Sequence, residues 1–288
     1  RRQRQMCIRD RRGRMKLKSA IFLFLGKCAA GIKRLAKFFY RHIVKNPIQS
    51  MLLLGIGVCL CWIYGRQIIL VYGYRASDIP VHMSWINEMS RGKIFAKGVY
   101  PFGFHCMIYY LHAVFRFDTY VILCQFFFAQ VIFMHLVLLA MLKQLCKTKY
   151  IPYIGTFVFL LGNFWSGQTY SRFYATLPQE FGMIFVIPSI YFLIRFFQIS
   201  KQKLADKETR LTLQCFAMAF SLTLAIHFYG TMIAGLCCIG IACGFCFRFL
   251  RKEYFCRIMF TGICSVFLAV LPMLSLIHIS EPTRLALI

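Results

Sequence analysis

An all-α, polytopic transmembrane helix bundle of about seven spans is the fold class this chain predicts, with a helical first extracellular loop. Three observations predict it. Apolar residues make up 59% of the chain and phenylalanine alone occurs 31 times, where a soluble domain holds roughly 45–50% apolar residues. Apolar runs recur at lengths near the ~20 residues that carry a helix across a ~30 Å hydrocarbon core. Lysine and arginine cluster between those runs instead of spreading among them.

Taken in order, residues 15–50 alternate apolar positions with Lys27, Lys33, Arg34, Lys37, Arg41 and Lys45. That is the pattern of a basic amphipathic helix lying on a membrane surface. A cleavable leader fits less well, because Lys27 falls inside the apolar run. Spans follow at 51–74, 119–142, 151–164, 181–197, 211–228, 231–247 and 258–273, of which the third, fourth, sixth and seventh are short. Three basic clusters lie between them: Lys143, Lys147 and Lys149; Arg195, Lys201, Lys203, Lys207 and Arg210; Arg248, Arg251, Lys252 and Arg257. They alternate with gaps nearly free of Lys and Arg. The positive-inside rule therefore places the clusters and the N-terminus in the cytoplasm, with the spans in the plasma membrane, and 75–118 and 167–180 outside. The net charge of +26 is then topological. Its partner is anionic membrane lipid, and no nucleic acid is implied.

Both ends read differently from the middle. Residues 274–284 are LSLIHISEPTR and residues 6–11 are MCIRDR, and both resemble translations of the transposon-type adapter used in sequencing libraries. On that reading 1–14 and 274–288 are non-native, Met15 is a start, and the membrane domain at 51–273 is an incomplete fragment. The fourteen cysteines lie mostly within spans, where they act as small hydrophobes instead of a disulfide framework. Cys243-Gly-Phe-Cys246 matches C-x-x-C without the βαβ setting of a redox motif.

The loop from Arg75 to His105 carries the chemistry-bearing side chains. Ser77 suits an N-cap, Asp78 suits the positive end of a helix dipole, Pro80 is tolerated in a first turn and Gly92 suits a terminator. On that helix Asp78, His82 and Trp85, spaced by four and three, share one face. Residues 98–103, GVYPFG, read as a turn containing Tyr100. Residues 104–115 read as a second apolar helix with His105 and His112.

An acid just after the first span, a His…Trp helix, a glycine-containing link and YPFG-x-H resemble the first extracellular loop of the GT-C-fold glycosyltransferases. The version here is most similar to bacterial multi-pass proteins distantly related to protein O-mannosyltransferases and lipid A aminoarabinose transferases. Residues 169–182, TYSRFYATLPQEFG, resemble an outer loop of the same group. The resemblance covers roughly 51–273. It implies transfer of a sugar from a polyprenyl-phosphate donor to an acceptor on the outer face. The family's loop acid, commonly a general base, maps onto Asp78; where the family often has a second acid beside it, this chain has Ile79. A second carboxylate must then come from Glu88 or Glu180. The leaving phosphate needs a cation, and Arg172 and Arg66 are assigned to it, with Arg75 as a further outer-side cation. His82, Trp85, Tyr100, His105 and Glu180 would line the substrate cavity. No cofactor is implied. His82 and His105 with Glu180 or Asp78 suit a divalent cation chemically, but no metal-binding spacing supports one, and no metal ligands are assigned.

Plainer readings stand beside these. Asp78 can serve only its helix terminus. Arg66 can snorkel from its span to the headgroups, and Arg172 and Glu180 can form an ordinary loop salt bridge. His227, near Tyr229, faces either the cavity or the interface, and the interface is the plainer reading. Gln125, Gln130, His135 and Asn163 read as interhelical hydrogen-bonding groups. The rival function class is a transporter or lipid flippase, which would hold polar sites near the midplane on broken helices in repeated halves. Here the polar residues collect at the outer face and no halves are visible.

Overall fold

The computed structural model describes residues 43–93, 100–165, 172–200 and 206–280, isolated positions before residue 43, and Leu204, with side chains as far as Leu271. Residues 1–14, much of the 15–50 segment, Gly98 and Val99 of the expected turn, and the adapter-like residues 281–288 lie outside the described residues. Arg1–Gly55 and Ile56–Ile288 are two separate compact units. All that follows about the site belongs to the second.

Every described element is helical. The first, α1 (Pro47–Leu70), contains one π-helical turn at Cys61–Gly65. Two shorter helices come next, α2 (Ile79–Ser90) and α3 (Gly103–Phe115). The bundle continues through α4 (Thr119–Leu145), α5 (Ile151–Trp165), α6 (Pro178–Ile199), α7 (Lys207–Ile226) and α8 (Phe228–Gly244). A single turn, α9 (Cys246–Phe249), leads to α10 (Lys252–Ser280). Five of these, α1, α4, α6, α7 and α10, are long and apolar enough to cross a membrane. The other two expected spans form helices of 15 and 17 residues, α5 and α8. At 1.5 Å per residue they measure about 22 and 25 Å, short of a ~30 Å core. Seven apolar runs thus give, among the described residues, five helices of spanning length. The protein is membrane-embedded and multi-pass in character, and its outward surface agrees: Phe267, Phe260, Leu236 and Ile239 stand exposed where water would disfavour them.

Helix α6 packs against α7 and α8, and α7 packs against α10; α4 holds α5 and α6. At the end where α7 and α10 begin, a buried core forms from Phe196 and Phe197 of α6, Phe216 of α7 and Tyr254 and Ile258 of α10. Phe197 lies parallel to Phe245 at 4.8 Å, and Tyr254 donates its hydroxyl to the Ser200 carbonyl at 2.7 Å. At the opposite end α3 meets the last turn of α7. A Cβ on Gly103 would lie 2.5 Å from the Ala225 carbonyl oxygen, so only glycine permits this approach. The contact brings residues 100–105 beside His227.

Candidate functional site

Three aspartates occupy N-cap positions, and they differ. Asp118 is extended (φ −65°, ψ 129°) and its carboxylate accepts from the Tyr120 and Val121 N–H groups. Asp206 is likewise extended and accepts from Lys207 N–H. Asp78 has φ −82° and ψ −17°, already helical, and makes no side-chain cap bond. An N-cap needs the extended geometry to fold its oxygen back on the first turn. The Asp78 carboxylate therefore points away from its own helix. Ser77, expected as the cap, instead donates its hydroxyl to Asp78 Oδ1 at 3.2 Å.

Asp78 lines a cavity of about 240 Å³, shared with His82 and Trp85 of α2, Tyr100, Arg172, Gln179 and His227. The period of α2 accounts for the first three, since i, i+4 and i+7 fall on one face. His82 and Trp85 pack edge to face at 5.5 Å. Trp85 meets Tyr100 at 4.9 Å, and Tyr100 meets His227 at 5.8 Å. An apolar cluster of Met89, Phe102 and Cys106 locks α2 onto α3 beneath these rings.

Arg172 arrives on the segment before α6. That segment is pinned to the bundle by Phe127 N–H, which donates to Thr176 Oγ1 at 2.9 Å, and by the Tyr174 hydroxyl, which donates to the Ile63 carbonyl at 3.2 Å. Ile63 lies in the π-helical turn of α1, where the register of carbonyls shifts. Arg172 donates through Nε to Glu180 Oε1 and through Nη2 to Gln179 Oε1, the latter at 3.0 Å. Both partners sit in the first turn of α6, so the guanidinium is oriented, with Nη1 left for a ligand among the described residues. The Glu180 hydrogen bond pushes the Arg172 guanidinium further into its charged form.

One histidine of the cavity wall pairs with a buried histidine behind it. His82 Nδ1 and His105 Nε2 are 3.0 Å apart, with His105 fully inaccessible. Burial drives His82 down to about 4 and His105 well below the ordinary imidazole value, so both are neutral at neutral pH. One nitrogen must donate. If His82 donated, His105 would carry its proton on Nδ1, which is buried and has no hydrogen-bond partner among the described residues. An orphaned N–H is the costlier defect. The arrangement of lower cost has His105 donating from Nε2, which leaves the His82 proton on Nε2. The nearby Asp78 charge, which favours positive charge on His82, favours the same arrangement. His227 reaches the equivalent tautomer differently: its Nδ1 accepts from Tyr229 N–H at 3.0 Å, so its proton also resides on Nε2. The result is one cavity lined by one carboxylate, two neutral imidazoles and one guanidinium.

The structure gathers Asp78, His82, Trp85, Tyr100 and Arg172 at one cavity, with His105 directly behind. Other expectations change. Glu180 is not on the cavity wall; it is buried and paired with Arg172. Arg66 is exposed and lies over the Trp62 ring at 4.9 Å, outside the cavity. Position along a span gives depth but not the side of the helix, and the rotation of α1 turns Arg66 away. Arg75 is occupied too, donating to the Gln67 and Val71 carbonyls and stacking on Phe127 at 4.4 Å. His227, read as an interface residue, lines the cavity; the break between α7 and α8 turns it inward. Gln179 had no signal beyond its place beside Glu180. Glu88, the other candidate second acid, pairs with Arg91 at 3.0 Å and Lys93 at 3.5 Å. Among the described residues, no group of three His, Cys, Asp or Glu side chains is placed to hold a metal ion. Compared with protein-family models, curated proteins and solved structures, the chain has no match.

Proposed function

We propose that this chain is part of a GT-C-like membrane glycosyltransferase, transferring a sugar from a polyprenyl-phosphate donor to an acceptor hydroxyl at its cavity. The observation that carries the reading is the uncapped Asp78 carboxylate, sharing a cavity with an oriented Arg172. In the reaction the acceptor oxygen attacks the anomeric carbon, and its proton passes to Asp78. The bond between that carbon and the phosphate oxygen breaks, and polyprenyl phosphate leaves with the electron pair. Arg172 and the Nε2–H groups of His82 and His227 stabilise the departing phosphate charge. The cavity, below the usual ~300–1,000 Å³ of ligand pockets, suits one headgroup better than an oligosaccharide.

A second feature supports a donor with a lipid tail. An apolar groove of about 450 Å³ runs between α3, α6 and α7 past Cys106, Phe181, Leu222 and Ile226. It begins within three residues of cavity positions Tyr100, Gln179 and His227 on each segment. The basic clusters set at the far ends of these helices support a cavity on the outer face of the plasma membrane.

The test uses membranes carrying wild type or Asp78→Asn with a panel of polyprenyl-phosphate hexoses and pentoses, scoring released polyprenyl phosphate. Release by wild type that disappears in Asp78→Asn at equal protein level is the expected result. Equal release by both overturns the role of Asp78. Donor movement across vesicles without release would instead assign the chain to transport.

A further inference from the structure

The opposite end of α7 holds a second concavity unrelated to the polar cavity. A groove of about 610 Å³ lies between α7 and α10. Along α7 it is lined by Arg210, Leu213, Gln214, Ala217 and Met218; on α10, Arg257, Thr261, Cys264 and Leu268 form the facing stripe. Both stripes follow the i, i+3, i+4, i+7 spacing of one helix face. Both begin with arginine and turn apolar in the same direction, so the two guanidinium groups stand at one end and the greasy floor runs away from them.

Neither arginine is neutralised. Glu208, two residues before Arg210, is engaged by Arg195 at 3.1 Å. No acidic side chain reaches ion-pair distance of Arg210 or Arg257 among the described residues. Arg210 is also the fourth residue of α7, close to the positive end of the helix dipole, where a cation is disfavoured. An anion held between the two side chains would remove both conflicts. The dimensions specify what the anion is attached to. From Arg257 to Leu268 the α10 stripe rises roughly 16 Å at 1.5 Å per residue, close to half of a ~30 Å hydrocarbon core.

We propose that this groove binds one anionic phospholipid of the adjoining leaflet. Its phosphate lies between Arg210 and Arg257, and one acyl chain lies along Ala217, Thr261, Cys264 and Leu268. Arginine's planar fork suits phosphate oxygens bidentately. Basic pockets between transmembrane helices bind anionic headgroups by the same physics. The inference does not depend on the sugar-transfer reading, since no residue is shared between the two concavities.

The experiment is native mass spectrometry of the full chain released from nanodiscs containing equal phosphatidylglycerol and phosphatidylcholine, repeated for Arg210→Gln/Arg257→Gln. Both changes are near the surface and leave the buried core intact. The expected result is a single retained phosphatidylglycerol on wild type, with its occupancy constant reduced roughly 30-fold in the double variant. That factor corresponds to about 1 kcal/mol per arginine near a charged headgroup, at tenfold per ~1.4 kcal/mol. Retention of both lipids alike, or of phosphatidylglycerol equally by wild type and variant, overturns the proposal. So does a dimer in which phosphatidylglycerol is absent from the wild-type groove, since a second copy would then occupy it.

Discussion

The two ends of α7 are built for opposite purposes. At its C-terminal end His227 joins a cavity in which the arginine and two histidines are each oriented by another side chain or by main chain. Arg172 is fixed by Glu180 and Gln179, His82 by His105, and His227 by Tyr229 N–H. At its N-terminal end Arg210 and Arg257 have no ion-pair partner among the described residues, and an apolar floor lies beside them. Orientation by second groups is what chemistry requires, because a reacting atom must be met at a fixed distance. Unoriented surface cations suit a ligand that supplies its own position by lying in the bilayer. The difference teaches that net positive charge in a membrane protein divides into two kinds, and that only side-chain partners tell them apart.

The largest expected effect would break the cavity end alone. Asp78→Asn removes the base while keeping size, and transfer should fall by about 10²–10⁴-fold, the usual contribution of a positioned base. Thermal stability should stay within about 0.5 kcal/mol, because the carboxylate makes no cap bond. Rates and melting curves on the same preparation check both halves.

Acid comes next. Burial holds His82 at about 4 in the folded state against 6.5 unfolded. The unfolded chain therefore takes up the proton first as pH falls, so the stability from keeping His82 neutral is complete above about 6.5. It is lost progressively toward about 4, by on the order of 3 kcal/mol. A melting series from pH 7.5 to 4.5 in detergent reads this, and His82→Gln should make it shallower, with the contribution of buried His105 remaining. The Arg210→Gln/Arg257→Gln variant should keep the wild-type slope. If the slope followed the arginines instead, the contrast between the ends would collapse.

Gly103→Ala should cost about 1–3 kcal/mol, since the new methyl meets the Ala225 carbonyl. It should also weaken donor binding, because residues 100–105 must move away from His227. Chemical unfolding and donor titration measure the two effects. His105→Leu should destabilise by roughly 1–2 kcal/mol by leaving His82 Nδ1 buried and unpaired. His105→Gln keeps an N–H donor in reach and should recover most of that loss. The smallest effect belongs to Arg66→Gln. Its contact with Trp62 is exposed, worth under about 1 kcal/mol, and transfer should change less than about twofold.

Much of the cavity was legible because it follows helical period. Asp78, His82 and Trp85 fall on one face by spacing alone, and Gly92 and Pro80 bracket their helix. What the sequence could not carry was rotation and pairing across elements. Arg66 was assigned to the leaving phosphate together with Arg172, yet the rotation of α1 separates them. Glu180 and Arg172 were both visible as loop charges; only packing turns one inward to hold the other. His105 was a candidate by its motif, but its role comes from contact with a residue 23 positions earlier. His227 stood where apolar and aromatic residues ordinarily meet lipid, and the break between α7 and α8 moves it inside. Length failed for α5 and α8, whose apolar runs are real but end before a bilayer would.

The most direct test of the contrast between the ends is binding of polyprenyl monophosphate, the proposed leaving group, to the full chain in phosphatidylglycerol-rich nanodiscs, where bulk phosphatidylglycerol saturates the Arg210/Arg257 groove. Arg172→Gln and Arg210→Gln/Arg257→Gln would be compared with wild type by titration. The account predicts a loss of at least about tenfold, or ~1.4 kcal/mol, for Arg172→Gln and less than twofold for the double variant. A loss confined to the double variant would place the phosphate at the wrong end of α7 and contradict the account.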